Sequence, residues 1–299
     1  KYASNMDEAN TYYELYEKKA PNDPRGKYGI NACEYIPKWT EYESKYDVKD
    51  VKGINSREAD FAPTYSSETY NSLIFTSTRD GSKGKSIDEW TNQSFSCLFQ
   101  ARMDRKNVWS TPELLDDQEE DGVNTEANEG APAMTSDFST LYFTRCPDVD
   151  GTTNGCQIYT SRRTGRFWSK PELVPLGLDS SEAIGHPTIS RDELVIYFSS
   201  NREGGMGGKD IWVAFRDSKS QPFGRPYNLG PIINTPGDEM FPFLRTDTLL
   251  YFASDGHPGL GGLDIFYTIP DTARMWSRPV NVGIPINSTA DDFDIIFQH

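Results

Sequence analysis

Four carboxylates, Asp60, Glu129, Glu239 and Asp292, recur at one place in a repeated stretch of the chain, with Ile184 as the fifth member of the column. Three kinds of chemistry suit such a column. Two inward carboxylates on separate structural units would serve glycoside hydrolysis. An acidic ring at the mouth of a channel would attract a cation or a basic partner. Alternatively, each carboxylate caps backbone amides of its own turn. A nearly uniform column favours the geometric role, because acid–base catalysis needs neighbours that set two pKa values apart. The expectation is no catalytic residue, with the acidic ring as a candidate binding feature.

Other reactive types are sparse. His186, His257 and His299 are the only imidazoles, so Ser–His–Asp and Cys–His relays have few candidates. No G-x-S-x-G elbow, Walker loop or H-E-x-x-H motif is present. The stretches Gly204–Gly208 and Gly259–Gly262 could suggest phosphate cradles. Each lies between two predicted strands, where no helix terminus is available to hold an anion. Both read as hairpin turns, with Asp210 and Asp264 satisfying loop amides. Asp148-Val149-Asp150-Gly151 looks like the opening of a calcium loop but lacks an acid at the twelfth place. Calcium is thus a weak candidate, and no other cofactor is expected. Cys146 and Cys156 flank a loop in LYFTRCPDVDGTTNGCQIYTSR, opposite one another where two antiparallel strands would leave a hairpin. A disulfide can span that geometry and would imply an oxidising compartment. Cys33 and Cys97 are far apart, and with so few histidines a zinc site is not expected.

The elements that position these residues come from internal repetition. Trp109-Ser110-Thr111-Pro112, Trp168-Ser169-Lys170-Pro171, Phe223-Gly224-Arg225-Pro226 and Trp276-Ser277-Arg278-Pro279 are spaced 59, 55 and 53 residues apart. Each leads through a short apolar stretch to an Asn or Asp, at Asn124, Asp179, Asn234 and Asn287, with Asn55 as an earlier copy. Eight residues later come Pro132, Pro187, Pro242, Ile295 and, for the earlier copy, Pro63. Next come aromatic strands, LIFTSTR from Leu73, LYFTR from Leu141, VIYFSSNR from Val195 and LYFASDG from Leu250. A further strand follows a loop: CLFQAR, QIYTSR, DIWVAF and DIFYT.

Units of three or four strands of about five residues, joined by Gly, Asp and Asn turns, cannot bury both faces alone. Standing around a common axis, they would bury aromatic faces between neighbours and leave only short edges. The predicted fold is an all-β propeller of four-stranded blades, about 55–122, 123–177, 178–232 and 233–285. A fifth begins at 286 with an inner strand, Asp291–Phe297. Residues 46–53 resemble the outer strand that precedes each other unit, so ring closure would pair them with the fifth. The remaining fifth-blade strands lie beyond His299, or something else covers the gap. In this frame His186 falls where other copies have Ala62, Ala131 and Phe241, which suits a packed side chain. His257, in the turn SDGHPG, reads as a solvent loop. The insertion Gly81–Phe95 and the acidic run Asp116–Glu129 exceed what a blade needs, and such loops are where partners tend to be recognised.

Residues 1–45 follow a different pattern. Ala9, Tyr12, Tyr13, Tyr16 and Ala20 keep helical spacing. Asp23 and Pro24 read as the cap and first residue of a second helix ending near Tyr35. This pair resembles the last unit of a tetratricopeptide array. A formal charge of −15 opposes binding to nucleic acid and to anionic lipid. No run approaches the roughly 20 apolar residues that span a bilayer. With neither a starting Met nor a signal peptide in view, the chain reads as an internal segment of a longer protein.

The phrases SSNREGGMGGKDIWVAF, INTPGDEMFPF and SDGHPGLGGLDIFY resemble the PD40 (WD40-like, TolB-related) propellers of Bacteroidetes envelope proteins. The order of helical remnant, NDPRGKYGINACE linker and propeller is similar to that of an outer-membrane-associated component of the type IX secretion system. The resemblance implies a five-bladed propeller within a periplasmic lipoprotein of the OmpA family, and a non-enzymatic scaffold for other envelope or secretion-system proteins. Any peptidoglycan contact would belong to a domain outside these residues. The alternative is a glycan-binding or glycoside-hydrolysing five-bladed propeller.

Overall fold

The computed structural model describes residues 5–41, 46–83, 95–116, 122–149, 152–153, 155–165, 167–176, 182–271 and 275–298. Its two helices are α1 (Met6–Lys19) and α2 (Arg25–Glu41). Asp23 accepts the Arg25 backbone N–H at 3.0 Å and starts α2, as the sequence predicts. The helix does not stop near Tyr35. It runs through Pro37, which removes a single donor and is tolerated late in a helix that packs along α1.

Four antiparallel sheets follow in chain order, each meandering from inner to outer strand. Blade 1 comprises Asp60–Tyr65, Ser72–Ser77, Cys97–Arg102 and Glu113–Leu114. Blade 2 comprises Asn128–Met134, Thr140–Cys146 and Gln157–Thr164. Its outer strand is Glu172–Leu173, and Phe167–Trp168 also pairs on the third strand. Blade 3 comprises Ile184–Ile189, Val195–Ser200, Asp210–Phe215 and Tyr227–Asn228. Blade 4 comprises Glu239–Thr246, Leu249–Ser254, Asp264–Thr268 and Val280–Asn281. The outer strands are only two residues long, which keeps exposed sheet edge short.

The core lies between blades. Ile74 and Leu98 of blade 1 meet Leu141, Phe143 and Trp168 of blade 2. Tyr142 and Ile158 of blade 2 meet Ile196, Phe198 and Phe223 of blade 3. Tyr197 and Ile211 of blade 3 meet Leu250, Phe252 and Trp276 of blade 4. The aromatic residue that heads each outer segment thus packs at a joint, with Trp276 edge-on to Tyr197 at 6.4 Å. The fourth joint holds Ile54, Phe75 and Phe99 with Ile296. Burying aromatic faces pairwise is what makes such thin sheets stable together.

One backbone hydrogen bond repeats at each joint. A residue at or near the start of the inner segment donates to the carbonyl just before the preceding blade's third strand: Glu129 to Ser96, Ile184 to Cys156, Glu239 to Lys209 and Asp292 to Leu263, at 2.6–3.0 Å. An Asn side chain repeats a second device. Asn124, Asn234 and Asn287 each accept the N–H and donate to the C=O of one third-strand residue, Leu98, Ile211 and Ile265 respectively.

The fifth unit differs from the strand expected there. Residues 291–298 occupy the inner position but form no ladder, and residues 46–51 form no outer strand. The physical reason is common to both. Each would pair with a second or third strand of a fifth blade, and neither strand is among the described residues.

Candidate functional site

The axis of the ring is built from one unusual residue per blade. Ala62, Ala131, His186, Phe241 and Asp294 all adopt positive φ, between 46° and 63°. In the first four, the ladder register shifts across this residue and the following Pro. Each is therefore a bulge, placed where proline need not donate. Positive φ at five non-glycine residues is sterically costly and marks positions fixed by their surroundings.

At this level the axis is filled by side chains. His186 stacks on Phe241 at 3.8 Å between ring centres, and Phe241 stacks on Phe293 at 4.7 Å. Phe61 meets Phe293 edge-on at 5.9 Å. Burial holds the His186 imidazole far below its usual range, at about 3, with the Lys209 charge adding to the effect. Its Nδ1 faces the Phe241 N–H at 3.5 Å. A neutral, stacked ring in the place of Ala62 and Ala131 is the packed histidine the sequence suggests. Beside this plug lies a cavity of about 90 Å³, lined by inner-strand residues that include Pro63, Pro132, Pro187, Phe243 and Asp294. Asp294 is its one acidic lining residue among the described residues, and burial pushes that carboxyl up to about 7.

The acidic column lies elsewhere, in the turns. Asp60 accepts the Ser56 N–H and hydroxyl, the Ser77 hydroxyl and the Arg79 guanidinium. Glu129 accepts the Thr125 N–H and hydroxyl and Arg145 Nε at 2.9 Å. Glu239 accepts the Thr235 N–H and hydroxyl and the Ser254 hydroxyl. Asp292 accepts the Ser288 N–H. Each carboxylate closes the turn begun by the Ser or Thr four residues earlier, and Glu129 and Glu239 are 0% exposed. The structure therefore shows each of these groups capping a turn of its own unit.

Their environments still differ. Burial pushes Asp60 up, but the bonds from Ser77, Arg79 and Ser56 outweigh it and hold the carboxyl below its usual range. For Glu129 burial wins over Thr125 and Arg145, and the carboxyl is pushed up. Glu239 lacks an arginine partner, and burial raises it to about 7. This is desolvation acting on carboxyls of similar hydrogen bonding.

The missing arginine exposes a pattern the sequence reading overlooked. Arg79 lies over Phe75 and Phe99, Arg145 over Phe143 and Tyr159, and Arg202 over Phe198 and Trp212, at 4.8–5.5 Å. Each cation covers one aromatic ring from the second strand and one from the third. In blade 4 the slot belongs to His257, whose ring lies 5.9 Å from Phe252 and 5.3 Å from Phe266. Its Nε2 reaches the Ile233 carbonyl at 2.8 Å, as Arg79 reaches Ile54 and Arg145 reaches Val123. His257 is therefore not a solvent-loop residue, and burial lowers its pKa. The sequence carries only part of this signal: Arg79 and Arg202 each follow the second-strand Phe by four residues, whereas Arg145 follows by two and His257 by five.

Other predicted sites divide. Cys146 and Cys156 are disulfide-bonded. Cys33 and Cys97 form no disulfide. In the glycine-rich turns, Asp210 accepts the Met206 N–H and Asp264 accepts those of Leu260 and Gly261, so both are loop anchors. Burial raises both, Asp264 to about 6. Asp148–Val149 pairs with Thr152–Thr153 as a small ribbon. Residues 150–151 of the suggested calcium loop, residues 84–94 of the insertion Gly81–Phe95 and residues 117–121 of the acidic run Asp116–Glu129 lie outside the described residues. No group of three or more His, Cys, Asp or Glu among the described residues could hold a metal ion. No helix among them is long and apolar enough to cross a membrane.

No family model matches the chain, and no curated protein matches its sequence. Solved structures match its fold. A glycoside hydrolase superposes with a TM-score of 0.52 at 12% identity, covering 86% of this chain and 85% of its own. TolB from Acinetobacter baumannii superposes with a TM-score of 0.48 at 15% identity over 80% of this chain and 46% of its own. A puromycin-hydrolysing peptidase of Mycobacterium tuberculosis gives 0.43 at 14% identity, over 77% and 31%. The chain thus spans less than half the length of the TolB and peptidase chains. At these identities the likeness shows the β-propeller fold alone.

Proposed function

We propose that this propeller is a non-enzymatic scaffold of the periplasm, holding protein partners in an outer-membrane-associated complex. The reading is supported most directly by the fate of its carboxylates. Asp60, Glu129, Glu239 and Asp292 serve their own turns, while the axial cavity has one acidic lining residue and a stacked aromatic plug. Hydrolysis of a glycosidic bond by the usual route needs two carboxyls flanking one substrate. The Cys146–Cys156 bond suits an oxidising compartment. The motif resemblance, with the order of helical pair, linker and propeller, is similar to PorE of the type IX secretion system, and the proposal assigns the complex to that system. Partners would then be other envelope or secretion-system proteins, reached through loops and blade rims.

The test is affinity capture of the full-length protein from its native envelope, with the captured proteins identified by mass spectrometry. Co-purification of secretion-system components is the expected outcome. The glycan reading predicts instead binding or cleavage across a panel of plant, algal and bacterial glycans, abolished by Asp294→Asn. Turnover of any glycan by purified protein would overturn the scaffold reading.

A further inference from the structure

The charges divide unevenly between the two ends of the propeller. In every blade the register sets the turn after the inner strand and the hairpin after the third strand at one end. The pairs Ser72–Arg102, Thr140–Arg162, Val195–Phe215 and Leu250–Thr268 mark it. Among the described residues this end comprises 65–72, 102–112, 134–140, 162–165, 167–171, 189–195, 215–226, 244–249, 268–271 and 275–279. It holds nine of the chain's 16 Arg and three of its 14 Lys, twelve cations against eight carboxylates. The opposite end spans 53–60, 77–83, 95–97, 115–116, 122–129, 145–147, 155–157, 182–184, 200–210, 229–239, 254–264 and 282–292. There six cations meet fifteen carboxylates. A chain of net charge −15 thus carries one cationic end.

That end is also sticky. Val108 of blade 1, Phe167 of blade 2, Phe215 of blade 3, and Ile269 and Met275 of blade 4 lie in or beside the same hairpins, each 50–61% exposed. Nine of the twelve cations are exposed, and Arg105, Lys106, Arg162, Arg191, Arg225 and Arg278 form no ion pair among the described residues. Neighbouring blades are tied together here. Arg163 of blade 2 donates to the Ser66 carbonyl of blade 1 at 2.9 Å, and the Ser136 hydroxyl to the Arg191 carbonyl of blade 3 at 3.1 Å.

We infer that this end is the docking surface for an acidic protein, whose carboxylates pair with the arginines while its apolar side chains cover the exposed tips. The planar fork of arginine grips a carboxylate in two places and is weakly hydrated, whereas lysine is depleted at protein interfaces. Nine Arg to three Lys, with exposed Phe and Met between them, is the composition of such an interface. Asp104, Asp192, Asp217 and Asp247 stand exposed among the cations. A partner of fixed shape can match that mosaic, and a fluid sheet of anionic headgroups cannot. The acidic end does not cancel the attraction. It lies a six-residue strand away, roughly 20 Å, and salt screens exposed charges beyond about 8 Å. This deepens the scaffold reading by naming the surface and the partner's charge, and rests on that reading for the partner being a protein.

The probe is a fluorescent peptide repeating Glu-Glu-Phe-Glu-Glu-Leu, titrated into the full-length protein. A copy with Lys for Glu and vesicles of phosphatidylglycerol are the other arms. The acidic peptide is expected to bind and the lysine copy not. Arg105→Glu, Arg162→Glu and Arg225→Glu are expected to weaken binding about threefold each and on the order of thirtyfold together. All three side chains are exposed, so the variants fold, and Arg57→Glu, exposed at the acidic end, is the matched control that leaves binding unchanged. Met275→Ser should weaken binding even near 1 M salt, where screening shortens to about 3 Å. No binding of the acidic peptide, equal binding of the lysine copy, or equal loss in Arg57→Glu overturns the inference. So does vesicle binding abolished by the triple variant while the acidic peptide stays unbound, which would assign this end to lipid. Envelope capture of secretion-system proteins undiminished by the triple variant would sink this inference alone; intact peptide binding with no envelope protein captured would sink the scaffold reading alone.

Discussion

Asn234→Ala tests the logic of the joints directly. The Asn234 side chain, 1% exposed, accepts the Ile211 N–H at 2.8 Å and donates to the Ile211 carbonyl at 3.0 Å. It also donates to Asn228 Oδ1 at 2.8 Å. Truncation leaves a backbone donor and a backbone acceptor without partners at a dry joint. Each such group costs about 1–3 kcal/mol when buried and unsatisfied. Some relaxation or water entry offsets the sum, so the expected loss is about 2–4 kcal/mol. Urea unfolding followed by tryptophan fluorescence would read it as a lowered midpoint at unchanged slope. The paired control is Asn55→Ala: the Asn55 side chain is exposed and accepts the Val51 N–H at 3.2 Å, so its cost should stay within roughly 0.5 kcal/mol, as for ordinary surface changes. Equal losses at the two sites, or less than about 1 kcal/mol at Asn234, would refute the account of the amide as a joint fastener.

Three further outcomes follow from the same geometry. The Glu239 carboxyl keeps its proton in the folded state up to about pH 7, while the unfolded chain loses it near 4.5. Its contribution is therefore full below about pH 4.5 and lost as pH rises through 7, a swing of up to roughly 3 kcal/mol; melting curves of Glu239→Gln at pH 5 and pH 8 should differ less than those of the parent. Removing Arg145 alone strands the wholly buried Glu129, so Arg145→Met should cost about 3–5 kcal/mol in urea unfolding, and adding Glu129→Leu should recover part of it. Alkylation of the denatured, unreduced protein should label two of its four cysteines, Cys33 and Cys97, with all four labelled after reduction as read by intact mass.

The blades were legible because repetition turns weak local signals into aligned columns. Spacing of the Trp-Ser-x-Pro segments located each outer strand; the bulge beside each aligned Pro is seen only in the ladder register. The disulfide was legible because residues 146 and 156 fall opposite one another once two strands are drawn. What an acidic column does was not legible from the column itself. The answer depends on the Ser or Thr four residues earlier, whose N–H turns toward the carboxylate in all four copies and whose hydroxyl joins it at Ser56, Thr125 and Thr235. His257 misled for a related reason. A turn rich in Asp, Gly and Pro reads as solvent, whereas its ring fills a slot defined by rings on two other strands. The fifth unit shows the opposite limit: sequence can assign a strand by alignment, but a ladder exists only when a partner strand is present.

The stacked rings of His186, Phe241 and Phe293 also separate the two ends of the molecule. Among the described residues the cavity beside this stack measures only about 90 Å³, room for a few waters. Each end must therefore be approached from outside as an independent surface, and two ligands held at opposite ends would sense one another only through the rigid sheets between them.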